Sequence, residues 1–176
     1  MKLNKQKIQG VILICIPIVA ILLAYYYFSL IFTPKPSYNT ICRITKSEIK
    51  DLNYIADYYY NLGYDNVLNY MTDPIEIIHV QSNNSKYSEE KIKSPEIIKK
   101  TKKYFDLSRR TWYRGFSSIM KYNECVLFSK WSTRDAGIYV VYSPLGEEKI
   151  SSNVDYCYTI EIIPLGIDNW YYCYLE

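Results

Sequence analysis

His79 is the single histidine of this 176-residue chain, so any Ser-His-Asp or Cys-His relay would have to be built around it. It stands within Ile75–Gln81, IEIIHVQ, a β-branched apolar run that reads as a strand, without the strained strand-to-helix turn that exposes a nucleophile. The plain reading is a satisfied strand residue; the catalytic one is an envelope hydrolase using His79 with a serine or cysteine delivered by the fold. The adjacent acids Glu89-Glu90 and Glu147-Glu148 occupy loop-like stretches, where neighbouring carboxylates point different ways and read as solvated turn residues. The six glycines are isolated, so no glycine-rich phosphate loop is present. One imidazole and scattered acids lack metal-ligand spacing, and no cofactor is expected.

Five cysteines occur without a CxxC pair, which leaves zinc and thioredoxin-like chemistry unsupported. Cys15 falls in an apolar run, while Cys42, Cys125, Cys157 and Cys173 form an even set that permits three pairings. If residues 156–163 and 169–175 make an antiparallel hairpin centred near Leu165, Cys157 faces Cys173, and Cys42 is left for Cys125. Four buried free thiols acting as small hydrophobes are equally consistent with these residues.

Charge is distributed unevenly. Lys2, Lys5 and Lys7 account for the whole net charge of +3, and residues 8–176 carry 18 basic and 18 acidic side chains. Global balance therefore does not indicate a strongly basic nucleic-acid binder, and no nucleic-acid partner is expected. Within the neutral part, residues 86–114 hold ten cations against four acids. Lys99, Lys100, Lys102, Lys103, Arg109 and Arg110 lie in the helical portion of that segment and form a candidate surface for an anionic headgroup or acidic partner, or an ordinary solvated helix face. Tyrosine is abundant, at 21 residues, which composition bias alone explains better than an aromatic ligand surface. The successive Tyr58, Tyr59 and Tyr60 splay around a helix axis and make no flat platform.

The elements that must position these groups begin with a membrane segment. Residues 10–32 contain no charge, and 23 residues at about 1.5 Å each span a hydrocarbon core of about 30 Å. Pro17 is tolerated in lipid, and Tyr25, Tyr26, Tyr27 and Phe32 suit an interfacial belt. The run is too long for the apolar part of a cleaved leader. Three lysines in the short tail at 1–9 favour an N-terminus inside and a domain outside the cytoplasm.

Residues 33–40 read as a proline-stiffened linker and 41–176 as one globular domain. Thr45-Lys46-Ser47-Glu48 matches a capping box and predicts a helix over 46–62 ending at Gly63. Ser94-Pro95-Glu96 predicts a second helix, to about Asp106. Strand-like runs then follow at 115–122, 124–130, 137–143, 156–163 and 169–175, too close together for crossover helices. The expected fold is α+β: a transmembrane helix plus two helices packed on an antiparallel β-meander. In its last hairpin, Tyr158, Ile160 and Ile162 are expected opposite Trp170, Tyr172 and Tyr174.

The run GIYVVYSP at Gly137–Pro144 and the closing NWYYCY at Asn169–Tyr174 resemble a pattern in small uncharacterised bacterial envelope and lipoprotein-like proteins. The resemblance covers residues 115–176, implies an antiparallel sheet domain of unknown function, and brings no catalytic residue with it.

Three functional classes remain. The leading one is a membrane-anchored, non-enzymatic binding or accessory module, with the bilayer and a protein as partners. The second is the His79 hydrolase. The third turns the domain to the cytoplasm, where the 86–114 segment would meet an acidic regulator or nucleic acid.

Overall fold

The computed structural model describes residues 17–21, 35–81, 86–110, 114–132, 136–153 and 159–176. The chain divides into two units, residues 1–35 and 36–176. In the first, residues 17–21 are helical, with Ile18, Val19 and Ile21 more than half exposed. The remainder of the expected 10–32 span lies outside the described residues. Among the described residues, no helix is long and apolar enough to cross a membrane.

The second unit is α+β. Helix α1 is Tyr38–Tyr60, and three strands follow: β1 Asn66–Tyr70, β2 Ile77–Gln81 and β3 Tyr87–Lys91. Helix α2, Pro95–Arg110, leads to β4 Ser118–Tyr122, β5 Cys125–Ser132 and β6 Gly137–Tyr142. A short helix α3, Glu147–Asn153, precedes β7 Thr159–Pro164 and β8 Trp170–Leu175. All eight strands join one antiparallel sheet in the order β3-β2-β1-β4-β5-β6-β8-β7.

That order corrects the expected meander. Strand β4 returns from the β3 edge to pair with β1, a jump that α2 is long enough to make, and β8 lies between β6 and β7. The strands β1 and β3 and the helix α3 are additions to the expected set.

Helix α1 starts at Tyr38, eight residues before the expected start at 46. Ser37 is the true N-cap, its hydroxyl accepting from the Thr40 N–H at 3.3 Å, and the preceding Pro36 does not extend the helix backwards. The extended spacer is thereby shortened. Thr45 lies a full two turns inside, buried in the stripe Ile41, Thr45, Leu52, Ile55, Ala56 and Tyr59. Helix α2 begins as expected, with Ser94 accepting from Ile97 N at 3.4 Å. It runs past Asp106 to Arg110 because Asp106 pairs with Lys102 and Arg109 at helical spacing, and basic side chains suit the last turn.

Both long helices cover one face of the sheet. Its core is a file of rings in which Tyr104 stacks on Phe116 at 5.1 Å, Phe116 meets Phe128 at 5.1 Å, and Phe128 meets Trp170 at 5.6 Å. Trp170 is fully buried, and its indole N–H donates to Asn53 Oδ1 at 2.7 Å, so its polar edge is satisfied. The opposite face carries a smaller cluster of Cys125, Leu127, Val141, Cys173 and Leu175, which Ile150 of α3 joins.

The last hairpin departs from its expected register. Its turn is Leu165–Asn169, with positive φ at Gly166 and Asn169, so Cys173 faces Ile162 and Tyr172 faces Ile163. Ile162 thus shares the second cluster, away from Trp170 and Tyr172. Cys157 lies outside the described residues, as does Tyr158. Cys42, Cys125 and Cys173 are free thiols. Cys42 packs against the main core and donates to the Leu165 carbonyl at 3.5 Å, whereas Cys125 sits in the second cluster near Ser143 Oγ at 3.5 Å. Cys42 and Cys125 therefore belong to different sides of the sheet, and the Cys42–Cys125 bond does not form. Burial pushes the Cys173 thiol well above its ordinary value.

Candidate functional site

The richest polar chemistry lies where α1 and α2 meet. Asp51 receives Lys100 at 2.6 Å and Lys103 at 2.9 Å. Glu48 receives Lys103 at 3.2 Å and the Tyr104 hydroxyl at 2.6 Å. The two lysine hydrogen bonds hold the Asp51 carboxyl at about 2, below the usual carboxylate range. Burial, reinforced by the Glu48 hydrogen bond, pushes the Tyr104 phenol far up, so it stays a neutral donor.

Two hollows open along this groove. One, of about 620 Å³, is lined by Asp51, Pro95, Glu96, Lys99, Lys100 and Lys103, and most of its charges are already matched. The other, of about 510 Å³, is lined by Arg43, Ile44, Ser47, Glu48, Leu107 and Arg114. Among the described residues, Arg43 and Arg114 make no hydrogen bond or ion pair, and Glu48, the lining acid, is engaged elsewhere. Both arginines are exposed, so the second cleft presents two cationic groups to solvent beside an acid that is already engaged.

Its walls follow from local sequence. Arg43 and Ser47 are four apart on α1, hence neighbours on one face. Arg114 is brought against α2 by Gly115, where an added Cβ would overlap the Tyr104 carbonyl oxygen and the Ser108 backbone nitrogen; only glycine lets the backbones approach this closely. Phe116 follows, stacked on Tyr104.

Beneath this wall lies Lys130, 3% exposed, its ammonium 5.7 Å from the Phe116 ring centre. Among the described residues it makes no hydrogen bond or ion pair, and the charge it feels is Glu48. Burial lowers its amine to about 8 from 10.5. Lys130 is the extra residue of a β-bulge: Ser129 pairs with Tyr139 and Trp131 with Ile138, leaving position 130 without a partner. Bulges re-aim side chains and recur beside functional sites.

The residues singled out from sequence are dispersed. His79 Nε2 meets Asp73 Oδ2 at 2.8 Å, its ring lies 6.4 Å from Tyr70, and its cross-strand neighbours are Leu68 and Glu89, none of them a serine or cysteine. Glu89 and Glu90 belong to the exposed strand β3, and Glu147 and Glu148 to the first turn of α3, where acids suit the helix dipole; neither pair is in a loop. Of the basic group, Lys100 and Lys103 bind Asp51, Lys102 binds Asp106, and Arg109 reaches Asp106 and the Met71 carbonyl. Lys99 and Arg110 keep their charges free among the described residues, so four of these six cations are matched by the protein itself. Tyr59 is buried and accepts from Asn69 at 2.9 Å, a structural role.

The sequence reading missed Arg43, Ser47, Arg114 and Lys130. A signal for the last existed: Val126, Phe128 and Lys130 are two apart, so an inward phase was legible. Among the described residues, no group of three or more metal-ligating side chains forms. Comparison of the chain with protein-family models, with curated proteins and with solved structures finds no match in any of the three.

Proposed function

We propose that this chain is a membrane-anchored binding module: residues 10–32 are the anchor, the α+β unit stands outside the cytoplasm, and its ligand enters the cleft between α1 and α2. One observation carries the reading, namely a cleft of about 510 Å³ lined by two arginines whose side chains make no hydrogen bond or ion pair among the described residues. Pockets of this size take small molecules. Binding rather than turnover is favoured because the described neighbours of His79, namely Asp73, Tyr70, Leu68 and Glu89, include no serine or cysteine, and the Ser47 hydroxyl donates to the Ile44 carbonyl at 2.8 Å rather than to a base. The uncharged run at 10–32 and the lysines before it support the anchor and its orientation, and the resemblance to small envelope proteins agrees.

Ser47→Trp fills the cleft from an exposed helix position. In a thermal-shift screen of small molecules, compounds that raise the melting temperature of the full chain should leave the variant unmoved. Stabilisation that persists in Ser47→Trp, or none for any compound, rejects the cleft as a ligand site. For orientation, Lys50→Cys in intact cells should react with an impermeant thiol reagent; reaction only after lysis would reverse the topology.

A further inference from the structure

We propose that the ligand of this cleft is a small soluble organic anion presenting phosphate or carboxylate oxygens, gripped by Arg43 and Arg114 and favoured by the positive field of Lys130. This deepens the preceding reading and rests on it.

Guanidinium groups offer paired N–H donors matched to the oxygens of both anion types. Two of them line one cleft, one from α1 and one from the segment after α2, and among the described residues the one lining carboxylate that faces them, Glu48, is occupied by Lys103 and the Tyr104 hydroxyl. Leu107 and Ile44 supply an apolar wall for a carbon skeleton. Lys130 adds an argument independent of the lining. A buried ammonium without a hydrogen-bond acceptor is costly; among the described residues this one has only the Phe116 ring face, and it is held there by a bulge that gives β5 no extra pairing. An anion in the cleft would add to the negative charge that Lys130 already feels from Glu48, through a medium of low polarity, where charges act strongly over distance. The neighbouring hollow, where lysines and acids are already matched, has no such deficit.

The test titrates the full chain in detergent with glycerol 3-phosphate, with citrate, and with glycerol as the uncharged control, by calorimetry. At least one anion should bind and glycerol should not; the stronger of the two identifies the headgroup chemistry. Arg43→Ala and Arg114→Ala should each weaken that binding about tenfold. Lys130→Met, which keeps length and removes charge, should weaken it about threefold. Binding unchanged in both arginine variants overturns the inference, as does failure of both anions. If uncharged compounds then stabilise the chain in a Ser47-dependent way, the cleft remains a ligand site and only its anion preference falls. If no compound does, both readings fall together.

Discussion

Two lysines point into the helix-covered side of the same sheet, and they differ in what meets them. Lys121 on β4, 5% exposed, donates to the carbonyls of Tyr60, at 2.9 Å, and Leu62. It closes the C-terminal end of α1, where helical carbonyls lack partners. Lys130 on β5, near the other half of α1 through Glu48, is equally buried and meets no acceptor among the described residues. Burial lowers both amines. The contrast teaches that burial of a charge does not mark a functional group; burial without a partner, beside a cleft with further unmatched charge, does.

The largest expected effect is on pH. Below about pH 8, Lys130 is protonated in folded and unfolded chains alike, and the cost of burying its charge is fully present. Between its folded value of about 8 and its ordinary 10.5, the unfolded chain holds the proton that the folded one has released, so stability rises with pH. The full gain is about 3 kcal/mol. Denaturant titrations at intervals over that range should show wild type rising relative to Lys130→Met; parallel curves would remove Lys130 from the comparison.

Next, Lys121→Met should cost about 2 kcal/mol, since two carbonyls lose their donor. Lys130→Met at pH 7 should be neutral or stabilising, because an unmatched charge is exchanged for methylene and sulfur. Equal losses would erase the distinction between the two sites. Asp51→Asn should cost about 1 kcal/mol, its partners being partly solvated. The Asp51 carboxyl is lowered from 3.8 to about 2, so its contribution is complete above pH 3.8 and disappears as pH falls through 2; acid titration of wild type against Asp51→Asn measures this. Smallest of all, Arg43→Ala and Arg114→Ala should each move the unfolding free energy by less than about 0.5 kcal/mol, as expected of side chains that bind a ligand rather than the protein.

The α+β class and α2 were legible because each is a local pattern: Ser94-Pro95-Glu96 starts a helix, and alternation marks the strands. The start of α1 was hidden by Thr45 and Glu48, which imitate a capping box while the structure uses Glu48 for contacts with α2. β1 was missed because Asn66 and Asn69 are poor strand formers, and Asn69 is sustained by the distant Tyr59 hydroxyl. The final hairpin was misregistered because its turn is set by positive φ at Asn169 as well as Gly166, and asparagine signals this weakly. The cleft was beyond local reading, since Arg43 and Arg114 converge only through the packing of α1, α2 and Gly115. Inward phase at Lys130 was visible; the missing partner was not.

The bulge at position 130 also makes cation and curvature inseparable. Extra residues of this kind increase the local twist of the strand that carries them, so β5 owes some of its bend to the residue that carries the charge. A substitution there can discharge the site and leave the bend; deleting the residue would straighten the ladder and remove the charge in one step. Length, rather than side-chain identity alone, is thus a heritable control on this corner of the molecule.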